Sequence, residues 1–100
     1  MSVLTKAEVE SVIRELLLKY HAEYALLFGS YARGEATPES DIDVIVVGGA
    51  SFRPKDIFTF GEELRQRTSK EVDAFEIREV NVGTPFYDTV MREGVKIAGR

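Results

Sequence analysis

The stretch from Leu26 to Val47 constrains this chain most strongly, because it holds two apolar runs separated by a short polar segment. The first run stops at Gly29 and Ser30, and after ten further residues Asp41 and Asp43 open the second run. Glycine permits tight turns and close approach to the backbone, and alternate residues of a strand share one face. The pattern predicts a strand, a phosphate-sized turn, a loop, and a strand whose two carboxylates point the same way.

Composition narrows the class of protein. A chain of 100 residues fits one domain, 1–100, with a modest core. With 44% hydrophobic and 30% charged residues it is typical of a soluble globular domain, and no apolar run could span a bilayer.

The first residues lack a secretion signal, so we expect a cytoplasmic protein. Cysteine is absent, so a metal would be expected to bind oxygen ligands. The net charge of −4 disfavours long nucleic acids as partners.

Hydrophobic periodicity and turn residues predict the order of the elements. Thr5 and Glu8 have the spacing of a capping box, Gly94 fits a helix C-cap, and the lone histidine, His21, suits a helix end better than catalysis. A helical crossover favours parallel pairing of the second and third strands, and the first pair is expected to be antiparallel. We therefore predict an α/β (α+β) fold with a mixed sheet of three to four strands flanked by helices. The helices are expected over 5–21, 55–68 and 85–93, and the strands over 24–28, 41–47, 71–77 and 95–98.

Three aspartates are the candidate catalytic and metal-binding residues. Asp41 and Asp43 would lie about 6–7 Å apart along one strand face, where they repel each other unless a cation sits between them. Asp73 is an isolated charge in a short apolar strand and would enter near the same end of the sheet. Three carboxylates beside a phosphate-binding turn suit Mg²⁺-dependent phosphoryl chemistry. The plainer alternatives are a turn cap, an ion pair with a basic side chain, and an edge aspartate facing solvent.

Four residues are candidate nucleotide contacts: Gly29, Ser30, Arg33 and Ser40. Gly29 lets a phosphate approach the backbone, and a short helix beginning at Ser30 would point N–H groups at an anion. Arg33 would lie one helical turn further on, where it could meet a phosphate or brace Asp41. The alternatives are a plain turn at Gly29 and Ser30 and a surface salt bridge at Arg33.

The spacing G-S-x10-D-x-D with a later strand aspartate resembles the DNA polymerase β-type nucleotidyltransferase superfamily, and G-S-Y-A-R-G-E-A-T-P-E-S-D-I-D-V is similar to minimal nucleotidyltransferase (MNT) domains. The resemblance covers nearly the whole chain. It implies that Gly29 and Ser30 contact nucleotide phosphates, and that Asp41, Asp43 and Asp73 complete a site for two Mg²⁺ ions. Family members often carry arginine where this chain has Tyr31, a departure that concerns one nucleotide or partner contact rather than the metal site.

The resemblance also implies a function. MNT domains commonly accompany HEPN-domain toxins as antitoxins, which implies transfer of AMP from ATP to a tyrosine hydroxyl of a HEPN partner in a homo- or hetero-oligomer. The chain shows no accessory acceptor domain, so the acceptor is expected on another protein, and Phe86, Tyr87, Val90 and Met91 are candidates for an apolar docking patch or for core. Two alternatives stay open. One is a non-catalytic antitoxin that neutralises by binding, and the other a nucleotidyltransferase for a small molecule or an RNA end.

Overall fold

The computed structural model describes residues 4–98, so 1–3 and 99–100 of the predicted domain lie outside the described residues. In this described part of the chain, no helix is both long and apolar enough to cross a bilayer. The elements run in the order α1 (Lys6–Lys19), β1 (Tyr24–Phe28), α2 (Ser30–Arg33), β2 (Ile42–Val47), α3 (Asp56–Thr68), β3 (Val72–Glu76), a 3₁₀ turn (Ile77–Glu79), α4 (Pro85–Glu93) and β4 (Val95–Ala98).

The four strands form one mixed sheet in the order β3-β2-β1-β4. β1 pairs antiparallel with both β2 and β4, whereas β2 pairs parallel with β3. The helix α3 makes the crossover between the two parallel strands, and β4 lies at the edge. The predicted fold class, the mixed sheet and the direction of each predicted strand pair are therefore confirmed.

Helix α1 packs its apolar stripe on one face of the sheet. Its start has the predicted capping box, in which the Glu8 N–H donates to Thr5 Oγ1 at 3.1 Å and the Thr5 N–H donates to Glu8 Oε1 at 2.9 Å. His21 follows the end of the helix with φ of 57°, exposed and in the left-handed conformation. The buried residues of α1 recur at the predicted helical spacing, and they are Val9, Ile13, Leu16 and Leu17.

Three predicted strand ends are wrong by one residue, and one of them is the start of β3, which lies at 72 instead of 71. β2 begins at Ile42, so Asp41 lies just before the strand instead of within it. β3 ends at Glu76, and Ile77 begins the 3₁₀ turn. Glu76 causes this ending, because its carboxylate accepts hydrogen bonds from the Arg78 N–H at 3.0 Å and from Arg78 Nε at 2.6 Å. A side chain that caps the following turn in this way competes with continued strand pairing.

The loop after β2 contributes to the core, which the sequence reading did not predict. Phe52 is 2% exposed and lies against Gly48, where an added Cβ would come within 2.3 Å of the Phe52 side chain. Helix α3 then begins at Asp56, one residue later than predicted, because Lys55 still belongs to the preceding turn. In that turn the Arg53 N–H donates to the Asp56 carboxylate at 2.8 Å.

The two faces of the sheet have different neighbours. The inner face packs on α1 and α3 and forms the main core. The open face carries the alternate residues that include Phe28, Asp43, Asp73 and Phe75, and α4 packs over part of it. Four α4 residues were candidates for either docking or core, and the structure divides them. Val90 is buried and Tyr87 half-buried, whereas Phe86 and Met91 are exposed.

Substitution of Phe52 tests whether the loop after β2 is part of the core. We expect Phe52→Ala to lower the free energy of unfolding by about 3–5 kcal/mol, because it empties a buried aromatic site. The matched control is Phe58→Ala, since Phe58 is 77% exposed on α3 and its loss should change stability by less than about 0.5 kcal/mol. Urea denaturation of both variants measures the difference. Equal losses would contradict the packing of Phe52.

Candidate active site

The functional candidates meet at one end of the sheet, where β1 ends and β2 and β3 begin. In the strand register Phe28 lies opposite Asp43, and Asp43 lies opposite Asp73. Residues directly opposite one another in a sheet share a face, so both carboxylates lie on the open face. Gly29 follows Phe28, the last residue of β1, at the same end of the sheet. The structure thus places the predicted turn and two of the three predicted carboxylates in one row.

Gly29 is held against the carboxylate of Asp43. Its backbone has φ of 75° and ψ of −153°, a conformation that residues with a side chain rarely adopt. A Cβ built on Gly29 would lie 2.3 Å from Asp43 Oδ2, well inside contact distance. Both the conformation and the space therefore require glycine here. The turn backbone and the central carboxylate border the same small volume.

The predicted short helix after the turn is present as α2, which spans Ser30–Arg33 and is capped by Gly34 in the left-handed conformation. The Arg33 N–H donates to the Gly29 carbonyl at 3.2 Å, and the Glu35 N–H donates to the Ser30 carbonyl at 2.9 Å. These bonds fix the direction in which the chain leaves β1. Ser30, which follows Gly29, is half-buried and lies at the end of the sheet that carries the carboxylates.

The carboxylates are electrostatically coupled. The pKa of Asp43 is raised from its ordinary 3.8 to about 6, chiefly by partial burial, then by the nearby Asp73 and then by Asp41. Asp43 and Asp73 are close enough to share a hydrogen bond when one of them is protonated. The positive charge of Arg33 acts in the opposite direction but more weakly. A cluster of this kind is stabilised by a proton or by a cation.

The residues fit a hard divalent cation in charge and in donor type. Mg²⁺ prefers carboxylate oxygens together with phosphate oxygens of a substrate, and the edge offers Asp43 and Asp73 side by side with the exposed Asp41 next to them. Among residues 4–98, no three acidic or histidine side chains are already close enough to hold a metal ion. The structure therefore brings two of the predicted ligands together and places the third, which precedes β2, within electrostatic reach of Asp43.

The remaining predicted nucleotide contacts have local partners. Arg33 Nε lies 2.6 Å from Glu35 Oε1, and Arg33 Nη1 lies 3.9 Å from Glu93 Oε1 on α4. This is the surface salt bridge that was the alternative for Arg33, and the pair is exposed. Ser40 Oγ accepts a hydrogen bond from the Thr37 N–H at 2.7 Å and holds the loop before β2. A role of Arg33 and Ser40 in nucleotide binding stays a prediction.

Tyr31, the residue at which the sequence pattern was expected to depart from the MNT pattern, is a core residue. Its side chain is 1% exposed within the main hydrophobic cluster, and Lys70 Nζ lies 5.7 Å from the ring centroid. The Tyr31 hydroxyl is buried and has no hydrogen-bond partner among the described residues. The departure therefore affects the packing beneath α2.

Three phenylalanines line the open face beside the carboxylates. Phe86 on α4 packs edge-on against Phe28, with ring centroids 5.6 Å apart, and against Phe75, at 5.9 Å. We call Phe28, Phe75 and Phe86 the aromatic cluster. Sequence reasoning did not connect it with the site, although Phe75 stands two residues after Asp73 and so shares its face.

A family model and a curated relative both identify the chain as similar to nucleotidyltransferases. The family described as "Polymerase beta, Nucleotidyltransferase" matches residues 11–100. A protein of Methanocaldococcus jannaschii described as a candidate protein adenylyltransferase is 32% identical over 90 residues, which cover 90% of this chain and 95% of the relative.

Two solved structures share the fold. A toxin-antitoxin crystal structure with AMP-PNP has a TM-score of 0.76 at 25% identity, covering 91% of this chain and 73% of the other. A tri-AMPylated HEPN toxin of Shewanella oneidensis in complex with an MNT antitoxin has a TM-score of 0.72 at 21% identity, covering 96% and 74%.

The pKa of Asp43 predicts how neutralising this residue changes stability in the absence of metal. A raised pKa means that the folded protein becomes less stable as the pH rises from 3.8 through about 6, because the ionised carboxylate is disfavoured there. We therefore expect Asp43→Asn to melt at the same temperature as the parent or up to about 5 °C higher near neutral pH. The difference should vanish below pH 3.8, where Asp43 is protonated in both states.

Thermal unfolding in chelator across this pH range measures the effect, with Glu39→Gln in the exposed loop as the control. A large loss of stability in metal-free Asp43→Asn at neutral pH would contradict the electrostatic interpretation.

Proposed function

The chain belongs to the polymerase beta nucleotidyltransferase family, and we propose that it transfers AMP from ATP to a hydroxyl group of a HEPN toxin and so acts as the antitoxin of that pair. The observation that carries the proposal is the row formed by the Gly29 backbone, Asp43 and Asp73 at one end of the sheet. A turn that admits phosphate and a group of carboxylates suited to cations are the two parts that nucleotidyl transfer needs.

The proposed roles follow from position. The turn at Gly29 and Ser30 receives the phosphates of ATP, and Asp41 and Asp43 hold Mg²⁺, with Asp73 completing the set of ligands. When bound, the metal supplies positive charge to the triphosphate and favours ionisation of the acceptor hydroxyl. Two bound ions would account for all three carboxylates. Arg33 can turn from Glu35 to a phosphate at little cost, since an exposed ion pair contributes little to stability.

The proposed reaction is a single in-line displacement at the α-phosphorus. The acceptor oxygen forms a bond to this phosphorus, the bond between it and the oxygen bridging to the β-phosphate breaks, and pyrophosphate leaves. Asp73 accepts the proton of the acceptor hydroxyl. The position of Asp73 on β3, on the side of Asp43 away from the Gly29 turn, supports this role.

Relatives support ATP as donor and protein as acceptor. A toxin-antitoxin structure that contains AMP-PNP shares this fold, as does an MNT antitoxin bound to its tri-AMPylated HEPN toxin. The relative that aligns with 90% of this chain is described as a candidate protein adenylyltransferase. By extension we propose a tyrosine hydroxyl as the acceptor group.

A second candidate is an antitoxin that neutralises its toxin by contact alone. Two observations favour it. Phe86 and Met91 are exposed apolar side chains on α4, and among residues 4–98 no three potential ligands are yet close enough for a metal. Such surfaces commonly mark protein interfaces. A binder would form a stable complex without changing the mass of its partner.

One experiment separates these two candidates. The purified protein is mixed with a HEPN protein encoded beside it, ATP and Mg²⁺, and the mass of the intact HEPN protein is then measured. We expect a gain of one or more AMP units, which chelator abolishes and which the double variant Asp41→Asn, Asp43→Asn lacks. This variant loses two of the proposed metal ligands while both side chains keep their shape. A tight complex without any mass gain would refute the transferase and support contact alone.

Asp73→Asn tests the proposed proton acceptor separately from phosphate binding. We expect the rate of AMP transfer to fall by at least about 100-fold, because an amide cannot take the proton. ATP affinity, which in this proposal depends on the Gly29 turn and on the metal held by Asp41 and Asp43, should stay within about threefold. Single-turnover transfer and calorimetric ATP titration measure the two quantities, and Glu39→Gln is the surface control. Transfer at the rate of the parent would exclude Asp73 from the reaction.

A further inference from the structure

The aromatic cluster lies on the same face of the sheet as Asp43 and Asp73. Phe75 is two residues beyond Asp73 on the same face of β3 and is 37% exposed. Phe86, at the start of α4, is 42% exposed and contacts Phe75 on one side and Phe28 on the other. Phe28 belongs to β1 and Phe75 to β3, and β2 lies between these strands. Phe86 therefore crosses over β2 near Asp43.

The in-line geometry of phosphoryl transfer assigns the two sides of this site. The attacking and leaving oxygens lie on opposite sides of the phosphorus. Pyrophosphate leaves toward the phosphate turn that follows β1, and the sheet order puts β3 on the opposite side of Asp43. Asp73 and Phe75 on β3 therefore border the approach of the acceptor rather than that of the triphosphate.

The exposed rings suit a planar partner. Phe86 is backed by Phe28, with ring centroids 5.6 Å apart, and the planes of the Phe75 and Phe86 rings meet at 71°, so the two exposed rings form a corner. Aromatic rings prefer edge-to-face and offset contacts, and a third ring entering such a corner can make one contact of each kind. An aliphatic hydroxyl side chain such as serine is too short and has no ring to make these contacts.

We propose that Phe75 and Phe86 are the acceptor-specificity residues of this enzyme and bind the phenol ring of an acceptor tyrosine while its hydroxyl reaches Asp73. This inference rests on the proposed function. It adds that the choice of tyrosine over serine or threonine is made by this corner, whereas Gly29, Ser30 and the carboxylates act on the nucleotide and on the acceptor oxygen.

The test compares rings with aliphatic side chains of similar hydrophobicity. In the double variant Phe75→Leu, Phe86→Leu the apolar surface remains but the rings are lost. We expect kcat/KM for the HEPN partner to fall by at least about tenfold, as two lost ring contacts imply, with ATP affinity within about twofold. Phe58→Leu, an exposed phenylalanine on α3 away from the corner, should leave both quantities unchanged.

Selectivity and rescue separate recognition from a general effect on folding. The accepted tyrosine of the partner is located by peptide mass mapping and replaced by serine. The parent should prefer tyrosine, and the double leucine variant should reduce this preference by at least about tenfold, whereas Phe75→Trp should keep it. An unchanged tyrosine-to-serine ratio in the leucine variant, or a parallel loss of ATP affinity, would overturn the proposal.

A binding measurement distinguishes failure of this inference from failure of the proposed function. If the parent transfers no AMP to the partner, the proposed function is refuted, and the corner is then tested with N-acetyltyrosinamide in the presence of AMP-PNP and Mg²⁺. Ring signals of Phe75 and Phe86 should shift in NMR spectra with this probe and not with N-acetylserinamide. Equal shifts with both probes, or none with either, would overturn the inference.

Discussion

The crowding of negative charge around Asp43 is the interaction on which the rest of this structure depends. β2 is a central strand, and its register sets Asp43 opposite Asp73 on one side and beside Gly29 on the other. Helices α1 and α3 cover the inner face and hold this register, since a slip of β2 or β3 by one residue would turn the carboxylate of that strand into the core. The core thus fixes the distance between groups that repel each other.

Such a cluster is poorly stabilised by the protein alone. Burial, Asp73 and Asp41 together raise the pKa of Asp43 to about 6, so ionising this carboxylate costs more free energy in the folded protein than in the unfolded chain. Functional sites often retain arrangements that reduce stability, because the same arrangement favours a ligand of opposite charge. Here the ligand that relieves the repulsion would be a cation bound together with nucleotide phosphates.

Sequence patterns were informative wherever one local rule decided the structure. The capping box at Thr5, the glycine turn at Gly29 and the pairing of the strands follow from short-range geometry, and all are confirmed. One error arose from a tertiary contact, since Phe52 is buried because it covers Gly48. Another arose from a local competition, since Glu76 caps the turn that follows it and so ends β3 early. The aromatic cluster joins residues from β1, β3 and α4, and their contact depends on how α4 packs, which periodicity does not contain.

The central claim is that Asp41, Asp43 and Asp73 share divalent cations with a bound nucleotide. Crystals grown with AMP-PNP and Mn²⁺, with anomalous diffraction recorded at the manganese edge, test it most directly. We expect anomalous density between these three carboxylates and the phosphates, with the triphosphate lying along the Gly29 turn. Nucleotide bound elsewhere, or manganese density that these aspartates do not contact, would contradict it.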